Sequence, residues 1–150
     1  MHSHWPIAEI IEDTIVLFRL KLVQSKIHLR FEAPPRSMII DVHKGQLQQV
    51  LLILMINSTQ AMPEGGQIVV NCHSDEHRSA RLVQIDLSDT GPGIPENLRS
   101  RFGSLLCGRP NGSESGLAIA KRILTSYHGD ITLLATSSAG TSIRITLPLA

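Results

Sequence analysis

The chain has few aromatic residues: one Trp, one Tyr and three Phe make up 3% of 150 residues. A core drawn from this composition is aliphatic, and a surface for stacking nucleic-acid bases is not expected. An excess of one charge is also missing. Fourteen Lys and Arg stand against 13 Asp and Glu, a formal net charge of +1, so neither nucleic acid nor a membrane surface is called for as a partner. Only two cysteines occur, Cys72 and Cys107, far apart and without metal-ligand spacing. Cys72 falls in a strand-like run and is expected to be buried, Cys107 in a loop and exposed, and a reducing cytoplasm suits both. The longest unbroken apolar run, Val50 to Ile56, is too short to span a bilayer. No signal peptide is visible. With 42% hydrophobic residues, residues 1–150 are expected to form a single domain with a substantial core. Residues 1–6 read as a tag remnant or a linker.

The most informative segment is Asp89-Thr90-Gly91-Pro92-Gly93-Ile94-Pro95. The strand-like run Leu82 to Leu87 leads straight into it, which puts a carboxylate at a strand end before a turn with two glycines. Glycine lets backbone approach a ligand closely. An ionised carboxylate only accepts hydrogen bonds, so it suits a ligand presenting N–H donors, such as the exocyclic amine of adenine. A turn capped by an aspartate is the plainer reading of the same residues.

Upstream, Gln48 to Met62 reads as one helix, nearly all apolar from Val50 to Ile56 and therefore expected to be largely buried. Asn57 ends that run. A buried amide needs partners. Its carbonyl oxygen is a hard ligand of the kind Mg²⁺ takes together with waters and substrate phosphates. Hydrogen bonding to neighbouring backbone is the alternative.

Elsewhere, the spacing predicts a helix over Ile7 to Gln24 and a strand over Ile27 to Phe31. Pro34-Pro35 breaks the chain before a short strand at Met38 to Ile40, and Asp41 or His43 opens the Asn57 helix. Gln67 to His73 and Arg81 to Ser88 read as a hairpin after the Gly65-Gly66 turn. Ser104 to Ser115 reads as a long lid-like loop, Gly116 to Tyr127 as a helix, and Ile131 to Ala135 with Ser142 to Leu147 as a closing hairpin. Hairpins interspersed with helices predict an α+β two-layer sandwich and not a doubly wound sheet. The helix start at Gly116 is placed to bind phosphate through free N–H groups.

Taken together, these motifs resemble sensor histidine kinases. Asn57 through Ala61-Met62-Pro63-Glu64-Gly65-Gly66 looks like their N box, closest to the nitrogen-regulation type, and Asp89 to Pro95 looks like their first glycine box. Gly116-Leu117-Ala118-Ile119-Ala120-Lys121, Tyr127-His128-Gly129-Asp130-Ile131, Ala139-Gly140-Thr141-Ser142-Ile143 and Leu147-Pro148 continue the match, which runs from about Ile7 to Pro148. The resemblance implies a catalytic ATP-binding domain of the fold shared with gyrase-type and chaperone-type ATPases, an α+β sandwich whose mixed, largely antiparallel sheet is covered by about three helices. It assigns Asp89 to the adenine amine, Asn57 to Mg²⁺ and the phosphates, Gly91 and Gly93 to the turn facing the nucleotide, and Thr141 to the adenine edge. Ile94, Arg109, Gly112, Gly116 and Leu117 are the further cofactor-binding positions it implies. It also implies ATP and Mg²⁺ as cofactors, a histidine-containing dimerisation domain and a response regulator as partners, and a cytoplasmic domain, as a membrane-anchored sensor would carry.

The sequence departs from the family in places. Gly112-Ser113-Glu114-Ser115-Gly116 stands where the second glycine box has Gly-x-Gly-x-Gly, so Glu114 replaces a glycine close to the expected phosphates and would repel them unless screened. Phe102 matches a lid phenylalanine, Leu105 replaces a second, and Arg109 stands for a common lysine. Ile53 replaces a second asparagine one turn before Asn57. Only 56 residues precede Asn57, and none of the seven histidines lies in the His-Glu-x-x-x-Pro context of a phosphoacceptor. His28 and His73 are expected to be half-buried. The expectation is the nucleotide-binding part of a kinase without its dimerisation domain, which would not phosphorylate itself alone. A degenerate domain that binds response regulators or another kinase without using ATP is the alternative. A stand-alone serine kinase of the anti-sigma type fits the length but not the Ala-Met-Pro-Glu-Gly-Gly signature.

Overall fold

A computed structural model describes residues 3–77, 80–94 and 116–150. In chain order the elements are β1 (Ser3–Pro6), α1 (Ile7–Gln24), β2 (Ile27–Phe31), β3 (Ile39–Val42), α2 (Lys44–Ala61), β4 (Gly66–His77), β5 (Ala80–Asp89), α3 (Gly116–Ser126), β6 (Asp130–Ser137) and β7 (Gly140–Pro148). Five strands form one sheet in the order β2-β4-β5-β7-β6. Only β2 and β4 run parallel; the other neighbours are antiparallel. This is the mixed, largely antiparallel sheet of the expected α+β sandwich.

One face of that sheet carries the core. Ile68 and Val70 of β4, Val83, Ile85 and Leu87 of β5, Ile131 of β6, and Ile145 and Leu147 of β7 are all at most 2% exposed. They alternate with polar residues because successive strand side chains point to opposite faces. Against them lie the inner stripes of the helices: Ile7, Ile10, Ile11, Phe18 and Leu22 of α1, Leu47, Val50, Leu51, Leu54 and Met55 of α2, and Ala120, Ile123 and Leu124 of α3. Helix α2 packs against both α1 and α3, which explains its near-continuous apolar run. Thr14 is fully buried within α1, where its hydroxyl donates to the Ile10 carbonyl at 2.7 Å.

The opposite face of the sheet is polar. Arg144 grips Asp86 with two bonds, Nε to Oδ1 at 2.7 Å and Nη2 to Oδ2 at 2.9 Å. Ser88 and Ser142 hydroxyls meet at 2.7 Å, and His73 Nε2 lies 2.8 Å from Gln84 Oε1. His73 is exposed, as is His28, which corrects the half-buried expectation: both side chains project from the uncovered side or rim of the sheet. Cys72 is half-buried, and burial, followed by the charge of Asp86, pushes its thiol up to about 12. Opposite Ile85 in the ladder, it packs against the edge of the core. Cys107 lies outside the described residues.

Ser3–Pro6 pair antiparallel with Ile39–Val42, Trp5 opposite Ile40, in a separate two-stranded sheet. Lys44 lies over the Trp5 ring, 4.7 Å from its centroid. His43 caps α2, its Nδ1 accepting from the Gln46 N–H at 3.3 Å. The His43 N–H donates to the Tyr127 hydroxyl at 3.1 Å, and that hydroxyl also bonds Gln46. The end of the helical segment beginning at Gly116 is thus tied to the start of α2. Among the described residues no helix is long and apolar enough to cross a membrane.

Candidate functional site

At the C-terminal end of β5 the chain leaves the sheet at Asp89, and the C-terminal half of α2 passes over it. A cavity of about 210 Å³ lies between them. Its walls are mostly apolar: Leu54 and Ala61 from α2, Ile94 from the segment after β5, Leu117 from α3 and Ile143 from β7. Polar groups reach it from Asn57, Ser58, Asp89 and Thr141. A concave apolar chamber with a few convergent polar groups is the usual form of a small-molecule site.

Asp89 is held by its surroundings through both oxygens. Oδ1 accepts from the Gly91 N–H at 2.9 Å and the Thr141 N–H at 3.3 Å. The first of these is the aspartate-capped turn that the plainer sequence reading allowed. Oδ2 accepts from the Ser58 hydroxyl at 3.2 Å and keeps lone-pair capacity for one more donor. The carboxylate is therefore both a structural cap and an oriented acceptor.

Thr141 is 9% exposed and pairs with β5 directly opposite Asp89. Its hydroxyl lies 3.0 Å from Thr136 Oγ1, which also accepts from the Ile94 N–H at 2.8 Å. These bonds fix the segment after β5 against the β6–β7 hairpin. Two glycines make the approach possible. Gly93 has φ +83°, and a Cβ there would lie 2.1 Å from the Ser137 carbonyl oxygen. Gly140 has φ +144°, and a Cβ there would lie 1.9 Å from the Asp89 carbonyl oxygen. No side chain is compatible with either backbone contact.

Asn57 differs from its expectation. It is exposed, whereas Ser58 and Thr59 beside it are buried at 5% and 6%. The inner stripe of α2 continues through positions 54, 55, 58 and 59, which turns position 57 outward. Asn57 lines the mouth of the cavity and is not a buried amide seeking internal partners. Gly116 opens α3 against Ile53: a Cβ on Gly116 would lie 2.9 Å from Ile53 Cγ2. The position at which the resemblance led one to expect a second asparagine is thus an apolar contact beneath the start of α3.

Of the sequence-derived positions, Asn57, Asp89, Gly93, Ile94, Leu117 and Thr141 line this one cavity. Gly91 is buried behind Asp89 and borders a separate shallow groove with Met62 and Thr90. Gly116 stands next to the cavity through Ile53. Arg109 and Gly112 lie outside the described residues, as do Phe102, Leu105, Glu114 and Ser115. Sequence reasoning missed Ser58 and Thr136. A serine following Asn57 on an apolar helix was the available signal for the first; nothing in the local pattern marked the second.

The donor set suits an adenine base, with one oriented carboxylate oxygen at the edge of an aliphatic chamber. For Mg²⁺ the protein offers less. Among the described residues no group of three or more His, Cys, Asp or Glu side chains could hold a metal. A lone amide such as Asn57 fits an ion that arrives with phosphate oxygens and water as its other ligands.

The chain matches the family described as "Histidine kinase-, DNA gyrase B-, and HSP90-like ATPase" over residues 43–150. Signal transduction histidine-protein kinase AtoS of Escherichia coli (strain K12) is 28% identical over 154 residues, covering 99% of this chain and 24% of that protein. Sensory histidine kinase/phosphatase NtrB of Salmonella typhimurium is 31% identical over 141 residues, covering 87% of this chain and 40% of its own length. The chain thus spans well under half the length of these curated relatives. In fold it is similar to the nucleotide-free catalytic domain of histidine kinase ThkA, with a TM-score of 0.79 at 23% identity, over 99% of this chain and 96% of that one. ThkA has also been solved in complex with the response regulator TrrA, where the TM-score is 0.76 at 24% identity over 99% of this chain and 42% of that one. With its cavity between α2 and the end of β5, the chain belongs to the histidine kinase-, DNA gyrase B- and HSP90-like ATPase family, among the histidine kinase catalytic domains.

Proposed function

We propose that residues 1–150 form one ATP·Mg-binding catalytic domain of a sensor histidine kinase, which presents the γ-phosphoryl group of ATP to a histidine on a separate dimerisation domain. The observation that carries the reading is Asp89. Its Oδ1 is pinned by two backbone N–H groups, and its Oδ2, steadied by Ser58, borders an aliphatic cavity. The adenine amine would donate to Oδ2, and Leu54, Ile94, Leu117 and Ile143 would cover the ring faces. Asn57, at the mouth, would meet the metal and phosphates. Bound Mg²⁺ would supply charge neutralisation on the phosphates; the protein's part is positioning, which is most of what phosphoryl transfer asks of it. The response regulator would then take the phosphoryl group from that histidine, in the cytoplasm. Support for this larger assembly comes from the kinase relatives.

One observation favours a second reading, a degenerate domain that binds partners with little use of ATP. Ile53 makes an apolar contact with Gly116 where a polar group was expected near the phosphate end. Calorimetric titration separates the two. The catalytic reading expects ATP, ADP and a non-hydrolysable ATP analogue to bind, ATP more tightly with Mg²⁺, and GTP more weakly. Absence of any adenine-nucleotide binding would leave the degenerate reading. Incubated alone with γ-labelled ATP, the chain is expected to incorporate no acid-labile label, because it has no phosphoacceptor motif.

A further inference from the structure

Helix α1 has a second face that the fold does not use. Val16, Leu17, Leu20 and Val23 are 64%, 65%, 69% and 69% exposed, and their spacing puts them on one side of the last turns. Beside them, between the C-terminal halves of α1 and α2, runs a groove of about 530 Å³ that includes Phe18, Lys21, Ile56 and Met62. Ile56 is itself 41% exposed. The apolar crest borders a groove of mixed lining, across α2 from the Asp89 cavity, and exposed apolar side chains gathered in this way mark an interaction site.

Charge selects the occupant. The side chains of Arg19 and Lys21 flank this surface, are exposed, and have no ion-pair or hydrogen-bond partner among the described residues. The acids of the first turns are different: Glu12 pairs with Arg36 at 2.9 Å and Asp13 with Lys44 at 2.5 Å. The open charges flanking the exposed stripe at Leu20 are therefore Arg19 and Lys21, with Glu9 about three turns away. A second copy of the chain fits poorly, because antiparallel packing of Leu20 on its own copy brings Arg19 against Lys21. A flat anionic membrane also fits poorly, because half of this surface is a concave groove between two helices.

We propose that the outer face of α1 and the α1–α2 groove dock an amphipathic helix whose apolar stripe is flanked by carboxylates, the mode in which a helix lays apolar anchors into a groove. Leu20 is the central anchor, and Arg19 and Lys21 give the preference for acid.

The test uses a labelled helical peptide with leucines at third and fourth spacings and glutamates between them, a second peptide with lysines in place of the glutamates, and vesicles of phosphatidylglycerol. The glutamate peptide is expected to bind, to shift the amide signals of residues 16–24, and to weaken with added salt. Leu20→Ser, at an exposed position, is expected to weaken it by about tenfold. The double variant Arg19→Glu, Lys21→Glu is expected to reverse the preference toward the lysine peptide. ATP affinity should stay unchanged in all variants, so this outcome is independent of the catalytic reading. Equal binding of both peptides, no binding, concentration-dependent dimerisation that blocks the peptide, or vesicle binding stronger than peptide binding would each overturn the proposal.

Discussion

The two sides of the cavity are built differently. The Asp89 side is held by bonds between residues far apart in sequence: Ser58 to Asp89 across 31 positions, Thr141 to Asp89 across 52, Ile94 to Thr136 across 42. The Asn57 side is held by helix position alone, with an exposed amide on α2 and an apolar contact under the start of α3. A group tied into several elements cannot move without breaking them, whereas an outward amide can adjust to its ligand. The Asp89 side should therefore couple stability to binding, and the Asn57 side should affect binding alone.

Gly140→Ala should break this contrast most violently. The new Cβ would collide with the Asp89 carbonyl at a φ that side chains rarely adopt, and we expect a loss of about 3 kcal/mol or more in urea unfolding. An unchanged unfolding midpoint would show that the β5–β7 junction is loose. Asp89→Asn should come next. An amide in place of the carboxylate sets an N–H₂ against donors on one side or the other, so ATP and ADP should weaken alike by about 10- to 100-fold, with the preference over GTP lost. If only ATP weakens, the carboxylate does not face the base.

Asn57→Ala sharpens the other side. Because the amide is exposed, stability should hold within about 0.5 kcal/mol. Mg·ATP should bind about tenfold more weakly while adenosine is unaffected. Equal losses for adenosine and Mg·ATP would move Asn57 to the base side. The smallest effect serves as a control outside both. The hydrogen bond from Lys121 holds the Asp130 carboxyl below its ordinary range, against a smaller opposing effect of burial. A depressed folded-state pKa adds stability above the unfolded value of about 3.9 that is lost as pH falls through the folded one. The pair is exposed, 37% at Lys121 and 52% at Asp130, so Asp130→Asn should cost only a few tenths of a kcal/mol at pH 7. Variant and wild type should converge in acid melts below about pH 4.

Much of the fold was legible because its signals are local. Helix α1 and strand β2 have the bounds that apolar spacing and the Pro34-Pro35 break imply. The hairpins were found but drawn short: β4 runs on to His77 because β5 supplies ladder partners that no single-strand pattern reveals. The strand at residues 3–6 was not legible, because four residues carry almost no periodicity; only the edge of β3 makes it one. In the site, Asp89, Gly93, Ile94, Leu117 and Thr141 were legible from motif order. Ser58 and Thr136 were not, since a hydroxyl gains its meaning from a partner that sequence distance conceals.

Local pattern alone was enough for the alternation of helix and strand, the aliphatic core, the carboxylate at a strand end and the glycines that free its turn. These follow from backbone preference and from side-chain period, which act within a few residues. Packing settled the rest: that Asn57 faces outward while Ser58 faces in, that Asp89 is clamped from both sides, and that half of α1 is left bare. Those outcomes depend on which surfaces meet, and a helix that is apolar on two faces can bury only the one its neighbours cover.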